Sequence, residues 1–279
     1  MEIVIICLLV FTTIFLFDRF YPRFEKFLLF RKKKGFIQQE PFYRDIVSRN
    51  IRYFHRLDAD QQRKFLFRTH LICKSKKFHY VGVQSKPEMP VLISAVAAQL
   101  TLGLENFSLN YFRHIYVLQH DYHYGYYSLP FMGHVDSTGI YLSWDNFLQG
   151  LGNNADSNNV GIHEMAHALA YVNFVTRTDE DKHFIREFKN FSKVARPIYQ
   201  EMQKGRKTIL GDYAATNYHE FWAVSVEMFF ENPLAFKHQL TELYVAMTKV
   251  LNQDPIEQIK YKRTIIYRKS PLSANLPSN

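Results

Sequence analysis

The sequence predicts an α+β fold that is mainly helical, with a small sheet beside one central helix. Three observations support this. Apolar residues recur at helical spacing through most of the chain. Alternating runs at residues 114–118 and 141–143 are the best strand candidates. An apolar helical stretch from residue 160 to about residue 175 contains a metal-binding pattern.

The first element is an uncharged apolar run from Ile3 to Phe17. Fifteen helical residues reach about 22 Å, and residues 18–21 extend them towards the roughly 30 Å of a hydrocarbon core. The basic residues that follow, densest at 31–34, keep the remaining chain in the cytoplasm by the positive-inside rule. We therefore predict a membrane anchor with a basic juxtamembrane segment at residues 1–35. The alternative is a soluble cytoplasmic protein in which residues 3–17 form a buried core helix.

Roughly 240 residues follow this flank, enough for one large domain, which we assign to residues 36–269. Residues 270–279 are rich in Pro, Ser and Asn and are predicted to be a flexible tail. The formal charge of +9 owes much to the amino-terminal flank, so it indicates attraction to a membrane surface. No nucleic-acid-binding motif appears. The two cysteines, Cys7 and Cys73, argue against a disulfide framework and favour a reducing compartment.

The central helix carries the motif His163-Glu164-Met165-Ala166-His167. Histidines four residues apart project from one helix face and can share one metal ion, and the glutamate then lies beside the open coordination position. Zinc ligation needs neutral imidazole nitrogens, and hydrolysis needs a carboxylate near the attacking water. The alternative is a buried helix whose two histidines are satisfied by hydrogen bonds.

Two histidines leave a catalytic zinc one protein ligand short. One candidate is Glu187, about twenty residues after His167, in a stretch that otherwise indicates a solvated helix. Residues 211–233 offer another source, because Glu220 and Glu227 are two turns apart on one largely apolar helix face. A buried carboxylate there needs a metal or a cation. For Glu227 we favour a surface position or a pair with Lys or Arg.

These motifs together resemble the Mlc titration factor A family of zinc-dependent peptidases, the glucose-regulated metallopeptidases. The resemblance spans roughly residues 40–250. It is carried by residues 90–95 (Pro-Val-Leu-Ile-Ser-Ala), residues 141–145 (Tyr-Leu-Ser-Trp-Asp), Asn158-Asn159-Val160 before the histidine motif, and residues 213–230, from Tyr213-Ala214-Ala215 to Phe229-Phe230.

The resemblance implies a zincin-like catalytic domain of gluzincin type, similar to that of the anthrax lethal factor. It implies one catalytic zinc held by His163, His167 and Glu220, with Glu164 as general base. Tyr213 then hydrogen-bonds the developing oxyanion or the leaving group. The implied partners are a peptide or protein substrate and a transcriptional regulator, because the family is known for binding a repressor.

The chain departs from the family at one place beside the motif. The family commonly has an aromatic residue within the motif and Leu-Asp after it, whereas this chain has Met165 and then Leu169-Ala170. Position 170 faces the same general side as the two histidines, where an acid would orient a ligand or line the substrate cleft. The three ligands themselves are unaffected.

An extended substrate is expected along a sheet edge, and the runs His114–Leu118 and Tyr141–Ser143 are the candidates nearest the site helix. The alternative is that both are core strands. His120, His123 and His134 occur in or near a tyrosine-rich loop. We interpret them as solvated loop residues; the alternative is a second metal site or a contact with substrate.

Three function classes compete: a zinc peptidase, a zinc-containing regulatory protein that sequesters a repressor or other partner with little turnover, and a helical membrane protein without metal. Glu164 favours the peptidase, because a purely structural zinc site has no need of that carboxylate.

Overall fold

The computed structural model describes residues 34–125, 130–152, 159–177 and 180–258. Residues 1–33 of the predicted anchor and basic segment, and the whole of the predicted tail, therefore lie outside the described residues. Within the described ranges, no helix is both long enough and apolar enough to cross a membrane. The chain divides after Phe42 into two compact units, and the elements described below from Tyr43 onward belong to the second.

Helices make up most of the described chain, as predicted. Helix α1 covers residues 34–50. The other helical elements are a 3-10 turn at Arg52–Arg56, α2 at Ala59–Ser75, α3 at Glu88–Thr101, α4 at Trp144–Gly152, α5 at Val160–Phe174, α6 at Lys182–Gln203, a 3-10 turn at Asp212–Ala215, α7 at Tyr218–Glu231, α8 at Pro233–Gln239 and α9 at Thr241–Leu251.

A four-stranded mixed sheet accompanies the helices. Its strands are β1 (Lys77–Val81), β2 (His114–Leu118), β3 (Gly133–Asp136) and β4 (Gly139–Ser143), in the order β1-β2-β4-β3. The pairs β1 with β2 and β2 with β4 are parallel, whereas β3 and β4 are antiparallel. Both predicted strands therefore exist, but they are interior. The expectation that one of them forms the binding edge is wrong, and the alternative that both are core strands is confirmed, because β3 pairs with the outer side of β4 and is itself the terminal strand.

A ladder of stacked rings crosses the sheet. His134 in β3 stacks on Tyr141 in β4, with ring centroids 4.2 Å apart, and Tyr141 stacks on Tyr116 in β2 at 4.4 Å. These cross-strand pairs fix the register of β3, because cross-strand neighbours are the units that stabilise a sheet. The prediction for His134 is therefore wrong: it is a strand residue with a side chain only 11% exposed. His120 and His123 are exposed, as predicted.

Helices α5 and α7 pack side by side and carry most of the site. The side chain of Asn159 caps α5 by accepting from the backbone N–H of Ile162 at 3.0 Å. Asn217 caps α7 in the same way at His219 and Glu220. Between the two helices, the indole N–H of the buried Trp222 donates to the carbonyl oxygen of Ala166 at 2.9 Å. This bond and the packing around it fix how α7 lies on α5.

Candidate metal centre

Three side chains from α5 and α7 converge on one point. His163 and His167 are one turn apart on α5, and Glu220 lies in the first turn of α7. Nε2 of His163 is 2.9 Å from Oε2 of Glu220, and Nε2 of His167 is 3.4 Å from the same oxygen. One donor atom from each residue lies within 4.8 Å of the other two. The structure thus brings together the three predicted ligands.

The donor set of this cluster fits a divalent cation. Oε2 of Glu220 is buried, yet within the described chain it receives no aligned hydrogen bond, although two imidazole nitrogens face it. A buried carboxylate oxygen in that state needs a positive partner. Two imidazoles and one carboxylate are also a ligand set of catalytic zinc sites.

A second carboxylate from α7 orients His163. Oε1 of Glu227 is 2.6 Å from Nδ1 of His163, and its Oε2 accepts the backbone N–H of Asn159 at 2.8 Å. Since a carboxylate accepts, Nδ1 of His163 donates and the lone pair of Nε2 is left for a metal. Our placement of Glu227 at the surface or beside Lys or Arg is wrong. It is 3% exposed, because α7 turns both carboxylates towards α5.

The protonation behaviour of the ligands reflects their mutual charges. Burial works against a negative Glu220, but the two imidazoles facing it outweigh burial and hold its pKa below the ordinary range. Burial also works against a charged His163, yet Glu220 and Glu227 raise its pKa on balance. Burial lowers the pKa of His167, which favours the neutral form that ligates metals.

Glu164 lies beside the cluster and is 4% exposed. Burial raises its pKa to about 8; the charge of His163 opposes this shift, and Glu220 and Glu227 add to it. A divalent cation at the cluster acts in the opposite sense and favours the carboxylate. One oxygen, Oε2, has no hydrogen-bond partner among the described residues. Glu164 is thus a buried acid-base group with an oxygen available for a proton.

Glu164 is also confined by strand β3. An ideal Cβ placed on Gly133 lies 2.7 Å from both Cγ and Oε1 of Glu164. These separations are far below ordinary carbon contacts of about 3.5–4.0 Å. Only a glycine at position 133 therefore leaves the Glu164 carboxylate where it is.

Tyr213 stands at the mouth of the site, in the 3-10 turn that precedes α7. Its ring centroid is 6.0 Å from that of His163, and the residue is 58% exposed. Desolvation, followed by the charge of Glu220, raises the pKa of its hydroxyl above the ordinary range. The hydroxyl therefore stays protonated at neutral pH and can donate a hydrogen bond.

A cleft of about 600 Å³ opens onto the cluster. Ala170 lines this cleft, and position 170 was expected to face the same side as the two histidines. The other candidate ligand, Glu187, pairs with Arg186 and is not part of the metal cluster. The walls come from β3 with Phe131 before it, from α5, from α6, and from residues 213–222: Phe131, Gly133, His134, Val135, His163, Glu164, His167, Ala170, Tyr171, Phe174, Val175, Phe188, Ser192, Arg196, Tyr213, Asn217, Tyr218, His219, Glu220 and Trp222.

The sequence model of the family described as glucose-regulated metallo-peptidase M90 matches residues 27–251. The chain belongs to this family. Membership in M90 implies a metal-dependent peptidase-like protein, and the donor cluster of His163, His167 and Glu220 lies within the matched range. The narrower likeness to Mlc titration factor A stays a prediction.

One curated relative of the M90 chain is the uncharacterized protein slr2042 of Synechocystis sp. (strain ATCC 27184 / PCC 6803 / Kazusa), 27% identical over 121 residues. The alignment covers 42% of this chain and 44% of the relative. The chain thus matches less than half of that relative's length.

The sequence analysis missed two features of this M90 site. The contact of Glu227 with His163 had a visible signal, because a residue seven positions after Glu220 shares its helix face. The contact of Gly133 with Glu164 had none, since it depends on where an edge strand lies against α5.

Proposed function

We propose that this M90 protein is a zinc-dependent peptidase that hydrolyses peptide bonds with water, using Glu164 as general base. The observation that carries the proposal is the convergence of His163, His167 and Glu220 with a buried carboxylate beside them. When bound, zinc supplies a Lewis acid that lowers the pKa of a water molecule and polarises the substrate carbonyl. A structural zinc site has no need of Glu164.

Glu164 is the group that transfers protons during the proposed hydrolysis. Its carboxylate takes a proton from the attacking water and later delivers one to the nitrogen of the leaving amine, so a peptide and one water become a carboxylate and an amine. Burial of Glu164 helps both proton transfers, because it brings the pKa of the carboxyl group nearer to neutrality than that of an exposed Glu. Such a group can both accept and return a proton at neutral pH. Tyr213 is the proposed donor to the oxygen that becomes negative during the attack, since its hydroxyl stays protonated.

The free edge of β3 is the proposed site for the substrate backbone. The carbonyl of Met132 accepts from the N–H of Ser143 at 2.8 Å, so the peptide groups of residues 132, 134 and 136 face β4. The peptide groups of Gly133 and Val135 then point away from the sheet, and both residues line the cleft. An extended peptide that pairs with them is thereby joined to Gly133, the residue whose Cα side faces Glu164.

The test measures zinc content and hydrolysis of a broad peptide library by the full chain. We expect about one zinc per chain and cleavage for the wild type. Glu164→Gln should keep the zinc and lose at least about 100-fold in rate, and Glu220→Ala should lose the zinc. Glu187→Gln is the matched control, because it removes a carboxylate outside the cluster.

Two outcomes contradict the proposal. If no zinc is bound, the ligand set is wrong. If zinc is bound and no peptide is cut, the zinc-containing regulatory protein that sequesters a repressor or other partner becomes the favoured function.

A further inference from the structure

The charges along the cleft are uneven. Among the described residues that line it, the acidic side chains are Glu164 and Glu220, both at the metal cluster, and the Lys or Arg side chain is Arg196 alone. Ala170, one turn after the metal-cluster residue His167 on α5, adds no charge to this wall of the cleft. A substrate that reaches past the cluster therefore meets one fixed positive charge.

Arg196 lies on the face of α6 that forms one wall of the cleft. Phe188, Ser192 and Arg196 are four residues apart, share one helix face and all line the cleft. At the Phe188 end, its ring lies 4.7 Å from that of Phe174 and 5.0 Å from that of Trp222. This end is lined by aromatic rings, so it favours an apolar side chain of the substrate.

The other end of the same face meets the first turn of α7, the turn that carries Glu220. The guanidinium of Arg196 lies 5.2 Å from the ring centroid of Tyr218, two residues before the ligand Glu220. This cation–π contact holds the guanidinium over the first turn of α7. In the described part of the chain no salt bridge joins Arg196 to a carboxylate, and the residue is exposed.

We propose that the cleft selects peptides that carry a carboxylate close to a large apolar residue, with Arg196 as the group that binds the carboxylate. Phe188 and Arg196 are eight positions apart, which is about 12 Å of helix and equals roughly three to four residues of extended peptide. The apolar side chain and the carboxylate therefore belong to one short stretch of substrate. A guanidinium binds a carboxylate through two parallel hydrogen bonds, which explains an arginine at this position.

The carboxylate has two possible sources: the carboxyl terminus of a peptide or an Asp or Glu side chain. The inference rests on the proposed function, so its test uses binding as well as turnover. The binding protein is the zinc-loaded full chain with Glu164→Gln, which prevents cleavage during the measurement. The probes are three hexapeptides with a central Leu that carry an uncharged methoxycoumarin label. The first has a free carboxyl terminus, the second has a terminal amide, and the third has a terminal amide with Glu in place of a Gln.

We expect at least one carboxylate peptide to bind about tenfold tighter than the neutral amide, measured by fluorescence anisotropy. Adding Arg196→Gln should remove this preference and leave the affinity for the neutral amide unchanged. Arg196→Lys should keep part of the carboxylate preference, because lysine retains the positive charge but lacks the planar guanidinium that forms two parallel hydrogen bonds. Arg186→Gln is the matched control: it lies on the same helix, pairs with Glu187 and does not line the cleft.

Preference for the free carboxyl terminus identifies the terminal carboxylate as the source, and preference for the Glu peptide identifies a side chain. Equal binding of all three peptides overturns the inference, as does a preference that survives Arg196→Gln in a folded protein. Turnover by the wild type separates the two proposals. A carboxylate preference in binding without any hydrolysis refutes the peptidase function alone, and hydrolysis without any preference refutes the role of Arg196 alone.

Discussion

Replacing Gly133 by alanine is expected to disable the proposed general base and leave the fold and the metal ligands intact. The new Cβ would lie 2.7 Å from Cγ and Oε1 of Glu164 and 2.9 Å from Cδ. Ordinary carbon contacts are about 3.5–4.0 Å, so the carboxylate must retreat by about 1 Å. The backbone need not move, because every close contact is with the flexible end of one side chain.

The expected loss follows from that displacement. A misplacement of about 1 Å at a reacting group can cost about 100-fold in rate, so kcat/KM should fall by about that factor. Crowding of a side-chain end should cost only about 1 kcal/mol of stability. The assay compares kcat/KM on a peptide found with the library, the zinc content and the thermal midpoint. Gly152→Ala is the matched control, since an added Cβ there meets nothing within 4 Å.

The reasoning fails if Gly133→Ala retains zinc, keeps its thermal midpoint and hydrolyses peptide within about threefold of the wild type. Such a result would mean that the position of the Glu164 carboxylate against β3 does not matter for turnover. A loss of zinc in this variant would contradict the separation between the base and the ligands.

Two further predictions concern the support of the site. Glu227→Gln should weaken zinc binding about 10- to 100-fold, measured by competition with a chromophoric chelator. The amide has no charge to strengthen the imidazole as a ligand, and its single oxygen cannot accept from both Nδ1 of His163 and the N–H of Asn159; an unchanged affinity would contradict the orienting role. Trp222→Ala should lower the free energy of urea unfolding by about 3–5 kcal/mol, because a side chain 2% exposed leaves a cavity and loses its hydrogen bond to Ala166. A loss below about 1 kcal/mol would contradict that packing.

The helices of the site could be predicted closely from the sequence because their signals are local. The motif helix was expected from residue 160 to about 175 and spans Val160–Phe174, with Asn159 as its cap. The second helix is expected within residues 211–233, and it spans Tyr218–Glu231, between its cap Asn217 and Pro233. Caps, helical periodicity and proline each act within a few residues, so neighbouring residues alone decide them.

The edge of the sheet could not be predicted in the same way. Strand β3 has four residues, and its partner β4 begins three residues after it ends. Four residues are too few to show alternation, and the surrounding tyrosines and histidines are equally compatible with a loop. His134 belongs to a strand because its ring stacks on Tyr141 across the hairpin. The contact lies within one hairpin, but the place of that hairpin at the edge of the sheet follows from the pairing of β4 with β2, which are distant in the sequence.

The two glutamates of α7 define the limit of inference from a helical pattern. Their spacing of seven residues correctly put them on one face, but it does not distinguish a metal ligand from a residue that orients a ligand. The distinction comes from where α7 crosses α5: Glu220 meets the Nε2 atoms of both histidines, whereas Glu227, two turns later, meets Nδ1 of His163 and the backbone of Asn159. One imidazole thus lies between two carboxylates. Because Glu227 accepts from Nδ1, Nε2 of His163 can bind a cation together with Glu220. The crossing of α7 over α5 thus supplies both a metal ligand, Glu220, and the residue that orients the ligand His163.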